Sequence, residues 1–219
     1  MTALRGTAAT VGGNIFDQRC SSCHGVNLEG SVNGPNLRNV SRMEVQFYLT
    51  TGRMPASVPG VQNVHETPRF APQQIDAVVN YVMSHSHGSN AMARVDNTGN
   101  MQRGRALFIA NCSACHGATA KGGAVGYGWL APNLDRATIT QVAQAIRIGP
   151  GVMPMFDTRT LSDRQVNDIV RYVNVLQTHP RQAGGLAMGN VGAVAEGLAA
   201  WVFGLGLIVL VTRWIGTND

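Results

Sequence analysis

The sequence predicts an all-α chain in which one small helical unit is repeated in tandem and followed by a single apolar helix. Three observations predict this. The pentapeptide C-x-x-C-H occurs twice, as Cys20-Ser21-Ser22-Cys23-His24 and Cys112-Ser113-Ala114-Cys115-His116, and the two copies use all four cysteines of the 219 residues. The same short motifs recur around both copies in the same order. Near the C-terminus, every residue from Gly197 to Thr212 is uncharged and most are apolar.

The first element is a helix that each pentapeptide closes. Gly12, Phe16 and Gly25 recur as Gly104, Phe108 and Gly117, at the offset that separates Cys20 from Cys112 (112 − 20 = 92). Pro35-Asn36-Leu37 follows, matched by Pro132-Asn133-Leu134. Ser41 with Glu44, and Thr138 with Gln141, then read as capping boxes that start a second helix, and Gly52 and Gly149 suit its stop. Met54-Pro55 recurs as Met153-Pro154. The last helix of each unit carries apolar residues at helical spacing, Ile75, Val78, Val79 and Val82 against Val166, Ile169, Val170 and Val173. Pro72 suits the first helical position, and Ser162 with Gln165 gives another capping box. Ser84 to Asn100 is rich in turn formers and reads as the connection, with His85 and His87 as exposed histidines within it.

C-x-x-C-H is the attachment signature of a c-type haem. Two thiols three positions apart reach the two vinyl groups of one porphyrin, and the adjacent histidine sits under the iron as an axial ligand. A four-cysteine zinc site, a pair of disulfides or a thioredoxin-like motif has no need of a histidine after each pair. The expectation is two covalently bound haem c groups, one on Cys20, Cys23 and His24, the other on Cys112, Cys115 and His116. A haem with histidine and methionine ligands is a six-coordinate electron carrier of raised potential. Met54 and Met153 are the expected sixth ligands, each following a helix stop and preceding a proline. Met155 is the rival in the second unit and His65 in the first. Met43, Met83, Met92, Met101 and Met188 read as packing or linker residues. Arg38, Arg136, Tyr127 and Trp129 are candidate propionate partners, although exposed arginines commonly just face water. With both axial positions filled no iron is open to oxygen or peroxide. No nucleophile–base pair appears, so no independent catalytic site is expected.

Charged residues make up 13 % of the chain, against roughly 25 % in ordinary soluble domains. The formal charge is +5, and only Lys121 among the 17 basic residues is a lysine. Four haem propionates would cancel most of that charge, and no basic cluster points to nucleic acid. Trp201 and Trp214 flank the apolar stretch near its two ends, as interfacial aromatics do. It reads as a transmembrane helix, slightly short in its uncharged part against the ~20 residues a bilayer requires. Gly197, Gly204 and Gly206 permit close approach of a second helix. The first thirteen residues lack both the charge pattern and the apolar run of a leader. Haem attachment takes place outside the cytoplasmic membrane, so a further N-terminal segment is expected to precede Met1.

The order helix, C-x-x-C-H, Pro-Asn-Leu, helix, Met-Pro, helix resembles the class I cytochrome c fold. The resemblance implies that the first and last helices cross at Gly12 and Tyr81, and again at Gly104 and Tyr172. It also implies that the Pro35 and Pro132 carbonyls accept the second N–H of the axial histidines. The expected domains are a first cytochrome c domain at 1–87, a linker at 88–98 and a second cytochrome c domain at 99–180. A membrane-proximal segment at 181–194 and a transmembrane helix at 195–216 complete the chain. The tandem order with the tail GGLAMGNVGAVAEGLAAWVFGLGLIVLVTRWIG resembles the dihaem cytochrome c subunit of the actinobacterial cytochrome bcc complex, the complex III type that oxidises menaquinol. That resemblance implies a respiratory-chain, electron-transferring subunit of a quinol–cytochrome c reductase. Its expected partners are a cytochrome b subunit, a Rieske iron–sulfur subunit and a terminal oxidase with a copper A centre, in a dimeric complex or supercomplex. Its haem domains are expected on the extracytoplasmic side of the cell membrane. A free-standing membrane-anchored dihaem shuttle is the other reading the residues allow.

Overall fold

The structure, a computed structural model, describes residues 8–58, 62–178 and 193–216. It is mostly helical: α1 (Ala8–Arg19), α2 (Ser21–His24), α3 (Arg42–Thr50), α4 (Pro72–His85), α5 (Met101–Asn111), α6 (Ser113–His116), α7 (Ile139–Ile148), α8 (Asp163–Thr178) and α9 (Ala193–Gly216). One departure from an all-α chain is an antiparallel hairpin of β1 (Gly123–Gly126) and β2 (Trp129–Ala131). Tyr127 sits at its tip with a left-handed φ of 49°, and glycines on both sides relieve the turn.

Each repeat is built on a close crossing of its first and last helices. A Cβ on Gly12 would lie 2.1 Å from the Ala77 carbonyl oxygen, and one on Gly104 would lie 1.9 Å from that of Asp168. Only glycine allows two helix backbones to approach so closely. Beside the crossings, Phe16 packs on Tyr81 with ring centroids 5.4 Å apart, and Phe108 on Tyr172 at 5.5 Å. Phe16 and Phe108 are both buried. Leu28, Leu49, Ile75, Val78, Val79 and Val82 complete the first core.

The capping boxes form as the sequence predicts. The Ser41 N–H donates to the Glu44 carboxylate at 2.7 Å, and the Glu44 N–H returns to the Ser41 hydroxyl at 3.2 Å. Thr138 and Gln141 close the same loop at 2.9 and 3.2 Å, and Ser162 and Gln165 at 2.9 and 3.3 Å. Gly149 ends α7 in the left-handed conformation.

The same helix of each repeat, α3 and α7, meets at the seam between them. The seam is polar and satisfied: Gln144 donates to the Gln46 side chain at 2.9 Å, and Gln141 to the Thr50 carbonyl at 3.1 Å. The second repeat holds an ion pair whose acidic partner is buried while Arg103 stays partly exposed. Asp168 is fully buried, accepts from the Asn100 N–H at 2.7 Å, and is gripped by Arg103 through Nε and Nη2.

The connection is less free than its composition suggests. His85 belongs to the last turn of α4, and its ring nitrogen donates to the Tyr81 carbonyl at 2.9 Å. Ser86 donates to the Val40 carbonyl at 2.7 Å, and the Arg42 N–H to the Ser89 carbonyl at 2.9 Å. At the far end the Asp96 N–H reaches the Asn167 side chain at 3.1 Å.

Helix α9 is 24 residues long, about 36 Å at 1.5 Å per residue, enough to cross a bilayer core of about 30 Å. Its candidate span is Gly197–Gly216, with a mean hydropathy of 2.0 and none of it buried. Trp201 and Trp214 are exposed, and the Thr212 hydroxyl is satisfied within the helix by the Val209 carbonyl at 3.0 Å. Met188, most of the segment expected at 181–194 and the last three residues lie outside the described residues.

The crossings give a direct prediction. Gly104→Ala is expected to destabilise the protein by roughly 3 kcal/mol, because the new methyl meets backbone and not a movable side chain. Gly197→Ala, with nothing within 4 Å, is the control. Guanidinium unfolding in detergent reads both, and equal stability of the two variants would contradict the crossing.

Candidate functional site

Each pentapeptide lies on a single continued helical turn. The Cys20 N–H donates to the Phe16 carbonyl at 2.8 Å and the His24 N–H to the Cys20 carbonyl at 2.9 Å. Cys112 and His116 repeat these bonds at 2.8 and 2.9 Å. Residues three and four apart share a helix face, so both thiols and the imidazole of each repeat point the same way. None of the four cysteines is in a disulfide. Burial pushes Cys20 up to about 11, and the nearby Cys23 adds to it; burial and Cys115 do the same for Cys112.

The histidines are held by the prolines the sequence singles out. His24 Nδ1 lies 2.8 Å from the Pro35 carbonyl oxygen, and His116 Nδ1 lies 3.1 Å from that of Pro132. A carbonyl only accepts, so Nδ1 carries the proton and Nε2 keeps its lone pair for a metal. Burial holds His116 below its ordinary pKa, against the opposite pull of the Pro132 bond, and so favours the neutral ring.

Two glycines that sequence reasoning passed over make these bonds possible. Gly30 and Gly122 adopt φ of 84° and 79°. A Cβ on Gly30 would lie 2.6 Å from the Asn36 nitrogen, and one on Gly122 would lie 2.4 Å from the Ala131 carbonyl oxygen. Both therefore guard the strand of chain that presents the proline carbonyl. They recur at the same offset as the cysteines, which is the signal that identifies them. Buried Leu28 and Ala120 share it, with left-handed φ of 62° and 59°.

Behind Cys112, Cys115 and His116 lies a cavity of about 600 Å³, walled by Phe108, Val142, Ile146, Ile169 and Val173. Protein cores leave few voids larger than a water molecule. A large apolar cavity flanked by two thiols and a free imidazole nitrogen fits a flat, iron-bearing porphyrin. Met153 lines this cavity, whereas Met155 does not and is 66 % exposed. Arg147 staples the Met153 loop to α7, donating to the Phe156 and Leu161 carbonyls at 3.0 and 2.6 Å. In the first repeat Met54 and Cys20 pack on the same core cluster, and the Met54 N–H donates to the Tyr48 carbonyl at 3.0 Å.

The other candidates separate. Trp129 lines the second cavity, while Tyr127 is fully exposed at the hairpin tip. Arg38 is turned to the Asn27 carbonyl at 2.9 Å. His65 lines the second cavity and not the first domain's core, and burial with Arg53 and Arg136 holds its pKa below the ordinary value. The first domain thus supplies part of the second cavity's wall, including Tyr48, Arg53 and Gln62.

Comparison with known proteins matches residues 9–86 to the family model for cytochrome c and residues 99–173 to that for cytochrome c oxidase, cbb3-type, subunit III. The cytochrome bc1 complex cytochrome c subunit of Mycobacterium tuberculosis is 39 % identical over 217 residues, covering 95 % of this chain and 77 % of the relative. That of Corynebacterium efficiens is 34 % identical over 238 residues, covering 100 % and 80 %. The cbb3-type cytochrome c oxidase subunit CcoP of Cereibacter sphaeroides is 30 % identical over 195 residues, covering 77 % and 61 %. The chain belongs to the family of cytochrome c subunits of the cytochrome bc1 complex, and its two repeats are cytochrome c-type domains.

The glycines beside the proline carbonyls carry the prediction here. Gly30→Val and Gly122→Val are each expected to lower covalently bound haem, by displacing the proline carbonyl that His24 or His116 meets. Haem staining normalised to an immunoblot reads this. Full haem content in both variants would contradict the role given to these loops.

Proposed function

We propose that this family member is a membrane-anchored dihaem cytochrome that carries electrons from the Rieske iron–sulfur protein of a menaquinol-oxidising bc1-type complex to the copper A centre of a terminal oxidase. The observation that carries the reading is the likeness over nearly the whole chain to bc1 complex cytochrome c subunits, the Corynebacterium efficiens match covering all of it and so α9 as well. Bound haem supplies an iron that accepts and releases one electron at a time.

The chain's own residues hold and tune that iron. Cys20 and Cys23, and Cys112 and Cys115, would anchor the two haems. His24 and His116 present Nε2, with Pro35 and Pro132 fixing tautomer and ring direction. Met54 and Met153 would offer their thioether sulfurs to the irons from loops tied to α3 and α7, and thioether ligation raises the potential. The apolar walls exclude water. The domains run 1–87 and 99–180, joined by 88–98, with 181–194 leading to a transmembrane helix at 195–216. The haem domains face the extracytoplasmic side, and cytochrome b is the neighbouring membrane subunit in a dimeric complex or supercomplex.

Purification through a tag on this chain in mild detergent tests the assembly. Haem b and a Rieske signal are expected to copurify with haem c. Haem c alone, from membranes that contain a quinol-oxidising complex, would leave a free anchored shuttle in its place. For the ligands, Met54→Leu and Met153→Leu are each expected to lower the midpoint of one haem and spare the other in an optical redox titration. Unchanged midpoints would remove that methionine from the iron.

A further inference from the structure

Among the residues that line the second domain's cavity, one carries a permanent charge, and it comes from the first domain: Arg53. Among the described residues no aspartate or glutamate lines that cavity. Arg53 is half-buried, with its guanidinium carbon 5.0 Å from the centre of the Phe47 ring. It takes part in none of the ion pairs formed among the described residues. A cation drawn out of water without a counter-ion is costly, and the cost is relieved when an anion occupies the cavity. The wall that carries Arg53 is fixed to the second domain. Gln62 donates to the Leu130 carbonyl at 2.7 Å and accepts from the Leu130 N–H at 3.0 Å.

A haem has its two carboxylates on the edge of the macrocycle away from its vinyl groups. With Cys112 and Cys115 holding the vinyl edge, the carboxylates turn from the sulfurs toward another wall. We propose that Arg53 pairs with a carboxylate of the haem held by the second domain, so that the first domain completes its neighbour's site. This rests on the reading above of a haem in each domain and Met54 on the first iron. Met54 packs on the first domain's core, so two consecutive residues serve two different haems. The Arg53-Met54 peptide is then a covalent link between the two centres, and the second haem fixes the seam between the domains.

The test is a redox titration of the full chain, purified as found in the membrane, with haem per chain counted first. A cation beside a haem favours its reduced form. Arg53→Gln is therefore expected to lower one midpoint, reducing the reduced-to-oxidised ratio at fixed potential roughly tenfold, and to leave the other midpoint in place. Arg53→Lys should recover part of the shift, which a loss of packing alone would not. Met153→Leu marks the second haem by displacing its titration step, and the Arg53→Gln shift should fall on that step. Two haems with both midpoints unmoved overturn the pairing. A shift confined to the step that Met54→Leu displaces places Arg53 on its own domain's haem and overturns it equally. One haem per chain overturns the two-haem reading, and the pairing with it.

Discussion

Everything in each domain depends on two helix backbones being allowed to touch. At Gly12 over Ala77, and at Gly104 over Asp168, there is no room for a side chain. This contact sets the height of the first helix over the last. That in turn fixes where Phe16 and Phe108 enter the core and where the continued helical turn delivers two thiols and a histidine. The hydrogen bond from each histidine to its proline carbonyl follows from the same placement, since the ring arrives over a loop held tight by Gly30 or Gly122. A domain of this size is marginal as an apolar core on its own. Its geometry is consistent with a large planar group as part of that core.

The duplication is faithful where geometry demands it and loose elsewhere. Crossing glycines, aromatic partners, capping boxes and the left-handed loop residues recur. The Asp168–Arg103 pair has no counterpart, because Ala77 stands at the matching position. Its carboxylate is fully satisfied, which is the condition under which a buried charge is tolerated. The pair also ties the segment before α5 to α8. The first domain instead receives the connection that follows it, laced over Val40 and Arg42. The two units thus secure different segments: the second ties down the chain that enters α5, the first the chain that leaves α4.

Most of the site was legible because its residues are local in sequence. Two cysteines and a histidine within five residues need only a helical turn to converge, and Pro35 and Pro132 lie a short loop away. The helix starts were legible because capping boxes are local too. The hairpin was missed because Gly123 to Ala131 has neither strand length nor clear alternation, and its turn places a tyrosine where glycine is usual. His85 was read into the connection because Ser84 and Ser86 look like turn residues, yet the helix runs through the first of them. The wall that Tyr48, Arg53, Gln62 and His65 build around the second cavity has no local signature. It exists only because α3 and α7 meet, and no spacing within one repeat encodes that.

The burial of Cys20 and Cys112 has a chemical consequence of its own. Burial pushes both thiols up to about 11, with the neighbouring Cys23 and Cys115 adding to it. It is the thiolate that acts as nucleophile and metal ligand. The fold thus shields one sulfur of each pentapeptide in the same stroke that places it.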